Sequence, residues 1–258
     1  PRMTSIVGSR IGSIVDSLVG ASTSDAQFTP ANTSAQFAAM TGVTPSAIYL
    51  CNEASGSLVD VLGGTSLAAV AAPVYQQQVG DRLGVAYPTF ASHGADVNAL
   101  GVASGWYGAV FMLSNSTIAL PGIVGRNNAA FTESANLYMQ TAGVGWSIQV
   151  RDNAAGQASV TGTLNVSRGA WFGQLQIDRA ASLARGMVSR IGGGLTETIS
   201  VSIAGFGSLD GAAQAFGPGA LGFIFGGGAT VGYIAAATGK QCEGAAFMSS
   251  MARNLGVG

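Results

Sequence analysis

From residue 45 onward the chain is written in short apolar runs broken every few residues by Gly, Asn and Ser, and in the clearest runs apolar and polar positions alternate. "SIQVRD" (147–152) and "TISVSIAG" (198–205) have this period of two, the spacing of a strand with one packed face and one more polar face. The same grammar predicts strands in "SAIYLCN", "YGAVFMLS", "ANLYMQTA", "GWSIQVRD", "ASVTGTLNVS", "WFGQLQID", "ARGMVSRI", "ETISVSIAG" and "LGFIFGG". Many short strands separated by turn signals predict a sandwich or barrel rather than βαβ units. No fixed-period repeat is present, which argues against a propeller or solenoid.

Before residue 45 the pattern is helical. Ile6, Val7, Ile11, Ile14, Val15, Leu18 and Val19 fall on one stripe of a helix that Gly20 would stop, and Asn32 can cap a short second helix in "ANTSAQFAAMTG". The chain therefore divides into an N-terminal helical arm and connector, residues 1–44, and a β domain, residues 45–258. An arm of this kind packs on its own domain or docks on a neighbouring subunit, and the stripe suits both.

Composition sharpens this picture. Apolar residues make up 48% of the 258 residues and charged residues 9%, against about 25% charged in an average globular protein. With a formal net charge of -1 there is little mutual repulsion to keep copies apart, so much of the surface is expected to face something other than bulk water. A bilayer is one such environment, and Gly217–Gly239 is uncharged and long enough to cross one. Its eight glycines and one proline argue against a helix, since each Gly costs about 1 kcal/mol relative to Ala in a helix interior. No membrane span is expected, and no signal peptide is evident at the amino end. The 11 Lys plus Arg against 12 Asp plus Glu leave no basic stripe, so nucleic acid is not an expected partner.

Four stretches carry a resemblance. Trp171 to Ile191 resembles the hairpin of LamG-like, concanavalin A-type jelly rolls, in which a Trp-initiated strand ends in an Asp-Arg turn. "AIYLCNEASGSLVDVLGG" (47–64) is similar to the family's opening strand, and "LGFIFGGG" (221–228) with "GAAFMSSMARNL" (244–255) is similar to its late and closing strands. The resemblance implies an all-β fold: an antiparallel two-sheet jelly-roll sandwich. It also implies that the first and last strands pair, which would bring Cys51 and Cys242 near one another. Read by alternation, Trp171, Gly173, Leu175 and Ile177 face the sandwich interior while Phe172, Gln174 and Gln176 form a mixed face, and Asp178 opens a turn by bonding its own backbone.

Relatives of this fold include glucanases, whose retaining members carry E-x-D-x-x-E on one strand; here the carboxylates are scattered singly. His93, the only histidine, lies in "FASHGADVNA" with Ser92 and Asp96, too close in sequence for a triad and without a G-x-S-x-G elbow; it reads as an exposed or hydrogen-bonded loop residue. One His and two distant Cys cannot supply a metal cluster, and no cofactor is implied. The chain is expected not to be an enzyme.

Two functions remain. The leading expectation is a structural jelly-roll subunit that builds or decorates a large assembly, a phage or virus-like particle, with copies of itself or other virion subunits as partners and a virion or extracellular particle surface as its place. The alternative is a lectin-like carbohydrate-binding or adhesion module. For a glycan, Trp106 and Tyr107, with Trp146 and Trp171, are the candidate stacking rings, and Arg126, Asn127 and Asn128 the polar partners in a loop read from "GRNNAAFTES". For an assembly, Ile6, Val7, Ile11, Ile14, Val15 and Leu18 form the candidate contact.

Overall fold

The fold comes from a computed structural model that describes residues 35, 44–70, 72–80, 82–87, 92–94, 102–113, 122–128, 133–140, 145–166, 169–192, 194–209, 214–216 and 229–238. The arm stripe, the glycine-rich "LGFIFGGG", "GAAFMSSMARNL" and Cys242 lie outside the described residues.

The described strands run in order as β1 (Pro45–Tyr49), β2 (Ala68–Val70), β3 (Val74–Val79), β4 (Arg82–Tyr87), β5 (Ser92–Gly94), β6 (Gly105–Leu113), β7 (Gly122–Asn128), β8 (Ser134–Met139), β9 (Trp146–Arg151), β10 (Gln157–Gly162), β11 (Ala170–Asp178), β12 (Leu183–Arg190), β13 (Thr196–Ser202), β14 (Gln214–Phe216) and β15 (Ala229–Thr238). An eight-stranded sheet has the order β13-β12-β11-β6-β15-β4-β3, with β1 also paired to β15; a five-stranded sheet has the order β10-β9-β8-β7-β14; β2 and β5 form a small third sheet. Every strand pairing is antiparallel, as in a jelly-roll sandwich. β1 pairs with β15, Ile48 opposite Ala235, while the closing strand expected at 244–255 lies outside the described residues.

The alternation in β11 is the one that packs the sandwich. Trp171, Leu175 and Ile177 join Phe111, Leu137, Ile148 and Val150 in the cluster between the two large sheets. Glycine is required where β12 faces β9 across the sandwich: a Cβ on Gly186 of β12 would stand 2.5 Å from Ile148 Cγ2 and 2.7 Å from Trp146 Cζ3. Gly186→Ala is therefore expected to destabilise by about 2 kcal/mol through overpacking, read as a lower urea midpoint at unchanged slope.

The opposite face of the eight-stranded sheet differs from the mixed face expected of it. Trp106, Val110, Phe172, Met187, Tyr233 and Ala235 form a second buried cluster there, and Gln174 and Gln176 are buried beside it. The cause is visible in β6, whose Gly-Trp-Tyr-Gly-Ala-Val-Phe-Met-Leu is apolar at nearly every position, the signature of a strand covered on both sides. Gln174 is tolerated because its Oε1 accepts the Trp106 indole N–H at 2.9 Å.

Residues 229–238, within the stretch long enough to span a membrane, form β15, a central strand; among the described residues no helix is long and apolar enough to cross one. Asp178 behaves as a turn residue: its Oδ1 accepts the Ala181 amide at 3.0 Å and its Oδ2 meets Arg185 Nη1 at 3.3 Å.

Candidate functional site

The residues singled out for glycan contact do not form one surface. Trp106 and Tyr107 are adjacent on β6, so the strand period sends them to opposite faces. Trp106 stacks on Phe172 at 6.3 Å on the outer cluster, while Tyr107 lies in the inner cluster with its hydroxyl 3.5 Å from Arg126 Nη1. All three are buried, at 0%, 3% and 5% exposure, so no sugar ring can reach them from solvent. Arg126, Asn127 and Asn128 belong to strand β7 rather than a loop; Asn127 and Asn128 pair through their backbones with Ala215 and Gln214 of β14.

A different region is both exposed and rigidly held: the loop that leaves β1 and reaches β2. Ala54, Ser55, Gly56 and Ser57 form an exposed tip, and Gly63, Gly64, Thr65 and Ser66 a second one. Between them the chain is pinned. Leu58 and Leu67 exchange two backbone hydrogen bonds of 2.9 Å. Buried Asp60 accepts the amides of Ile48 and Leu62 on Oδ1 and of Gly64 on Oδ2, each at 3.0 Å. Glu53 Oε1 accepts the Val59 amide at 2.7 Å, and the Tyr49 hydroxyl donates to the Thr65 carbonyl at 2.7 Å. The first tip turns at Gly56, whose φ of +81° only glycine adopts without strain.

The strongest anchor is His93, on β5 and fully buried. Its Nε2 lies 2.9 Å from the Gly56 carbonyl and 3.1 Å from the Tyr75 hydroxyl, and its Nδ1 lies 2.9 Å from the Tyr87 hydroxyl. Both tyrosine rings meet the imidazole edge-on at 5.7 Å. A carbonyl only accepts, so Nε2 carries the proton and Nδ1 accepts from Tyr87. Tyr75 also donates to the Gly56 carbonyl. Burial pushes the Tyr87 phenol well above its usual range, with Cys51, Tyr75 and Glu53 adding to the effect, and burial likewise raises Tyr75; both remain O–H donors at any ordinary pH.

Burial pushes the His93 pKa down, only partly opposed by its bond to the Gly56 carbonyl. The sign of the linkage follows. Neutral His93 contributes stability that is fully present above the unfolded value of 6.5 and is lost as pH falls from there through the lower folded-state value, because the unfolded chain takes up the proton first. Urea titrations between pH 7.5 and 5 are expected to show that loss, and its absence in His93→Gln.

This site was not legible as a site in the sequence. His93 reads as a loop residue there, and its partners stand 6, 18 and 37 positions away. The "EASGS" run, with its Ser and Gly between Glu53 and Val59, was the one local signal of an exposed turn.

No known family profile matches the chain, and no curated protein matches it. Solved structures do resemble it in fold. The binding domain of botulinum neurotoxin serotype D is similar over 84% of this chain and 52% of its own, with 10% identity and a TM-score of 0.58. The serotype C1 binding domain is similar over 81% of this chain and 52% of its own, at 10% identity and a TM-score of 0.52. A carbohydrate-binding module, the CBM40 of the Ruminococcus gnavus IT-sialidase bound to α2,3 sialyllactose, is similar over 67% of this chain and 96% of its own, at 14% identity and a TM-score of 0.45, too low for any argument to rest on it. The chain spans about half the length of the neurotoxin binding domains it matches.

Proposed function

We propose that the domain is a non-enzymatic, lectin-like binding module of the LamG-like, concanavalin A-type group, and that the pinned loop from Glu53 to Ser66, with Tyr75 beside it, is its contact surface. The observation that carries this reading is the exposed, uncharged tip fixed from below by a buried histidine and a buried aspartate. Anchoring polar groups in a fold's interior is costly unless each is satisfied, and here their bonds hold an exposed Ser-Gly-Ser turn in one conformation. Neutral hydroxyls, backbone amides and one half-buried phenol suit an uncharged polyhydroxylated ligand such as a glycan. The fold shared with neurotoxin binding domains supports a binding role for the scaffold.

The non-enzymatic part rests on how the described carboxylates are engaged. Asp60, Asp152, Asp178 and Glu197 each hold backbone N–H groups: Asp152 those of Ala154, Gly156 and Gly207, and Glu197 those of Thr163 and Leu164 together with the Trp146 indole. Among the described residues no three His, Cys, Asp or Glu side chains gather as a metal site would need.

Thermal-shift measurement against a panel of neutral and acidic glycans tests the proposal. At least one neutral glycan is expected to raise Tm, and Ser57→Arg, a change at an exposed position, to remove that rise while leaving the unliganded Tm within about 2 °C. A panel that leaves Tm unchanged throughout would overturn it.

A second reading, a subunit of a larger assembly such as a particle surface, draws on the neighbouring strands β3 and β4, where Val74 and Leu83 are 44% and 43% exposed. It predicts a species larger than one chain in light scattering of the 258-residue chain; monomers at high concentration would count against it.

A further inference from the structure

We propose that β13 is a self-pairing edge: two copies of the chain join antiparallel along Thr196–Ser202, with a two-fold axis at Ile199, and run their eight-stranded sheets into one. The interface lies at the far end of that sheet from β3 and Tyr75, so it holds whether or not the β1–β2 loop takes a glycan.

β13 is an open edge. It ends the order of the large sheet, and among the described residues only β12 pairs with it. The direction of its backbone groups follows from the two bonds that bracket the strand: the Leu195 carbonyl accepts from Arg190, and the Ile203 amide donates to the Ser182 carbonyl, both on the β12 side. In an antiparallel ladder the N–H and C=O of one residue point the same way, and the direction alternates along the strand. Residues 197, 199 and 201 therefore face β12, while Thr196, Thr198, Ser200 and Ser202 face outward. The last three of these are exposed. The strand carries no proline, lysine or bulge, the devices that keep an edge from pairing. The opposite edge has such protection: β3 is bulged between Val74 and Gln77, with Gln76 at a φ of +55°, and the Gln77 side-chain amide donates to the Tyr75 carbonyl at 2.9 Å.

The strand also matches itself. About an axis at Ile199, Thr198 meets Ser200 of the partner subunit and Thr196 meets the partner's Ser202. All four are outward-facing residues, so every outward N–H and C=O of the strand gains a partner. Hydroxyl faces hydroxyl on the exposed side. On the inner side Ile199 meets Ile199 of the partner subunit and Glu197 meets the partner's Val201, so no like charges stand opposite one another. Glu197 stays bound to the Thr163 and Leu164 amides of its own copy.

The flank is apolar as well as open. Ile199 and Val201, with Ala158 and Val160 of β10 packed beside them, are only partly buried, and Leu195 at the head of the strand is 46% exposed. Pairing withdraws this seam from water and so adds apolar burial to the main-chain bonds. The occupant it fits is a second copy rather than an unrelated peptide, because the strand is complementary to itself and a formal net charge of -1 sets little repulsion between copies.

The test combines sedimentation equilibrium of the 258-residue chain with hydrogen exchange of single amides. The wild type is expected to be a dimer in which the Thr198 and Ser200 amides are protected although they face away from β12. Thr198→Lys with Ser200→Lys sets lysines directly opposite one another on both sides of the axis. It is expected to raise the dimer dissociation constant by about tenfold or more and to speed exchange of those two amides, while the Ile199 amide stays protected by β12. Thr198→Lys with Ser200→Glu changes the same positions but opposes unlike charges, and is expected to keep the dimer. A wild-type chain that is monomeric at high concentration, or a dimer whose Thr198 and Ser200 amides exchange freely, would overturn the proposal without any variant. So would a dimer indifferent to the two lysines. A dimer broken instead by Val74→Lys with Leu83→Lys would overturn it and leave assembly through β3 and β4 standing. Glycan-induced changes in Tm are scored apart, and their absence removes the ligand reading alone.

Discussion

Asp60→Ala is expected to lower stability by about 3 kcal/mol and to raise exchange throughout residues 58–66, because one buried carboxylate there answers three backbone N–H groups. The alanine methyl cannot accept any of the three. Water can reach the part-buried amides of Leu62 and Gly64, but the Ile48 amide is buried inside the β1 region, and its loss accounts for the larger share. Asp60→Asn keeps one acceptor oxygen and is expected to cost about half as much, since hydrogen bonds to a charged acceptor are about twice as strong as neutral ones. Denaturant unfolding of the three proteins checks the order. Equal stability of all three would show that the loop is not tied to the fold in this way.

The second large effect concerns Trp106. Trp106→Ala is expected to cost about 4 kcal/mol, in the range for emptying an aromatic site in a close-packed core. The indole is fully buried, lies against Phe172 and donates to Gln174. Trp106→Phe keeps a ring on Phe172 but loses the donor, and is expected to cost about 2 kcal/mol. Glycan binding by the folded Trp106→Phe protein is expected to equal that of the wild type. A selective loss of binding there, with stability preserved, would return the ligand site to the outer face of the eight-stranded sheet.

How legible was this in the sequence? The strands with clear alternation were the easiest: β9, β11, β12 and β13 fall where Ser-Ile-Gln-Val-Arg, Trp-Phe-Gly-Gln-Leu, Arg-Gly-Met-Val-Ser and Thr-Ile-Ser-Val-Ser predict them. Strands with a mixed or bland composition were harder. β7 reads as a loop because Arg126, Asn127 and Asn128 are polar, yet Arg126 is buried with its guanidinium against the Tyr107 hydroxyl. β15 is Ala-rich and hides within an uncharged stretch long enough to span a bilayer; only its pairing with β6, β4 and β1 identifies it as a central strand. Trp106 and Tyr107, each read from the sequence as a candidate stacking ring, sit on opposite faces because neighbouring positions on a strand cannot share one, and both are buried.

The candidate site was the least legible part, because its chemistry is made by pairing. Nothing local to "ASHG" indicates that Tyr87, Tyr75 and the Gly56 carbonyl converge on the histidine; that follows only from β3, β4 and β5 being folded back against the loop after β1. Among the described residues, Asp60, Asp152, Asp178 and Glu197 hold turns and segment ends through backbone N–H groups. Glu197 joins the start of β13 to the residues after β10, and Asp152 joins the turn after β9 to the segment after β13.

The proposed ligand contact at the exposed loop between β1 and β2 is tested most directly by mapping a bound glycan by amide chemical-shift perturbation on the isotope-labelled 258-residue chain. Shifts are expected to concentrate in residues 53–66 and around Tyr75, with the amides near Trp106 unmoved. Shifts clustered on β6 and β11 instead, with the loop silent, would contradict it.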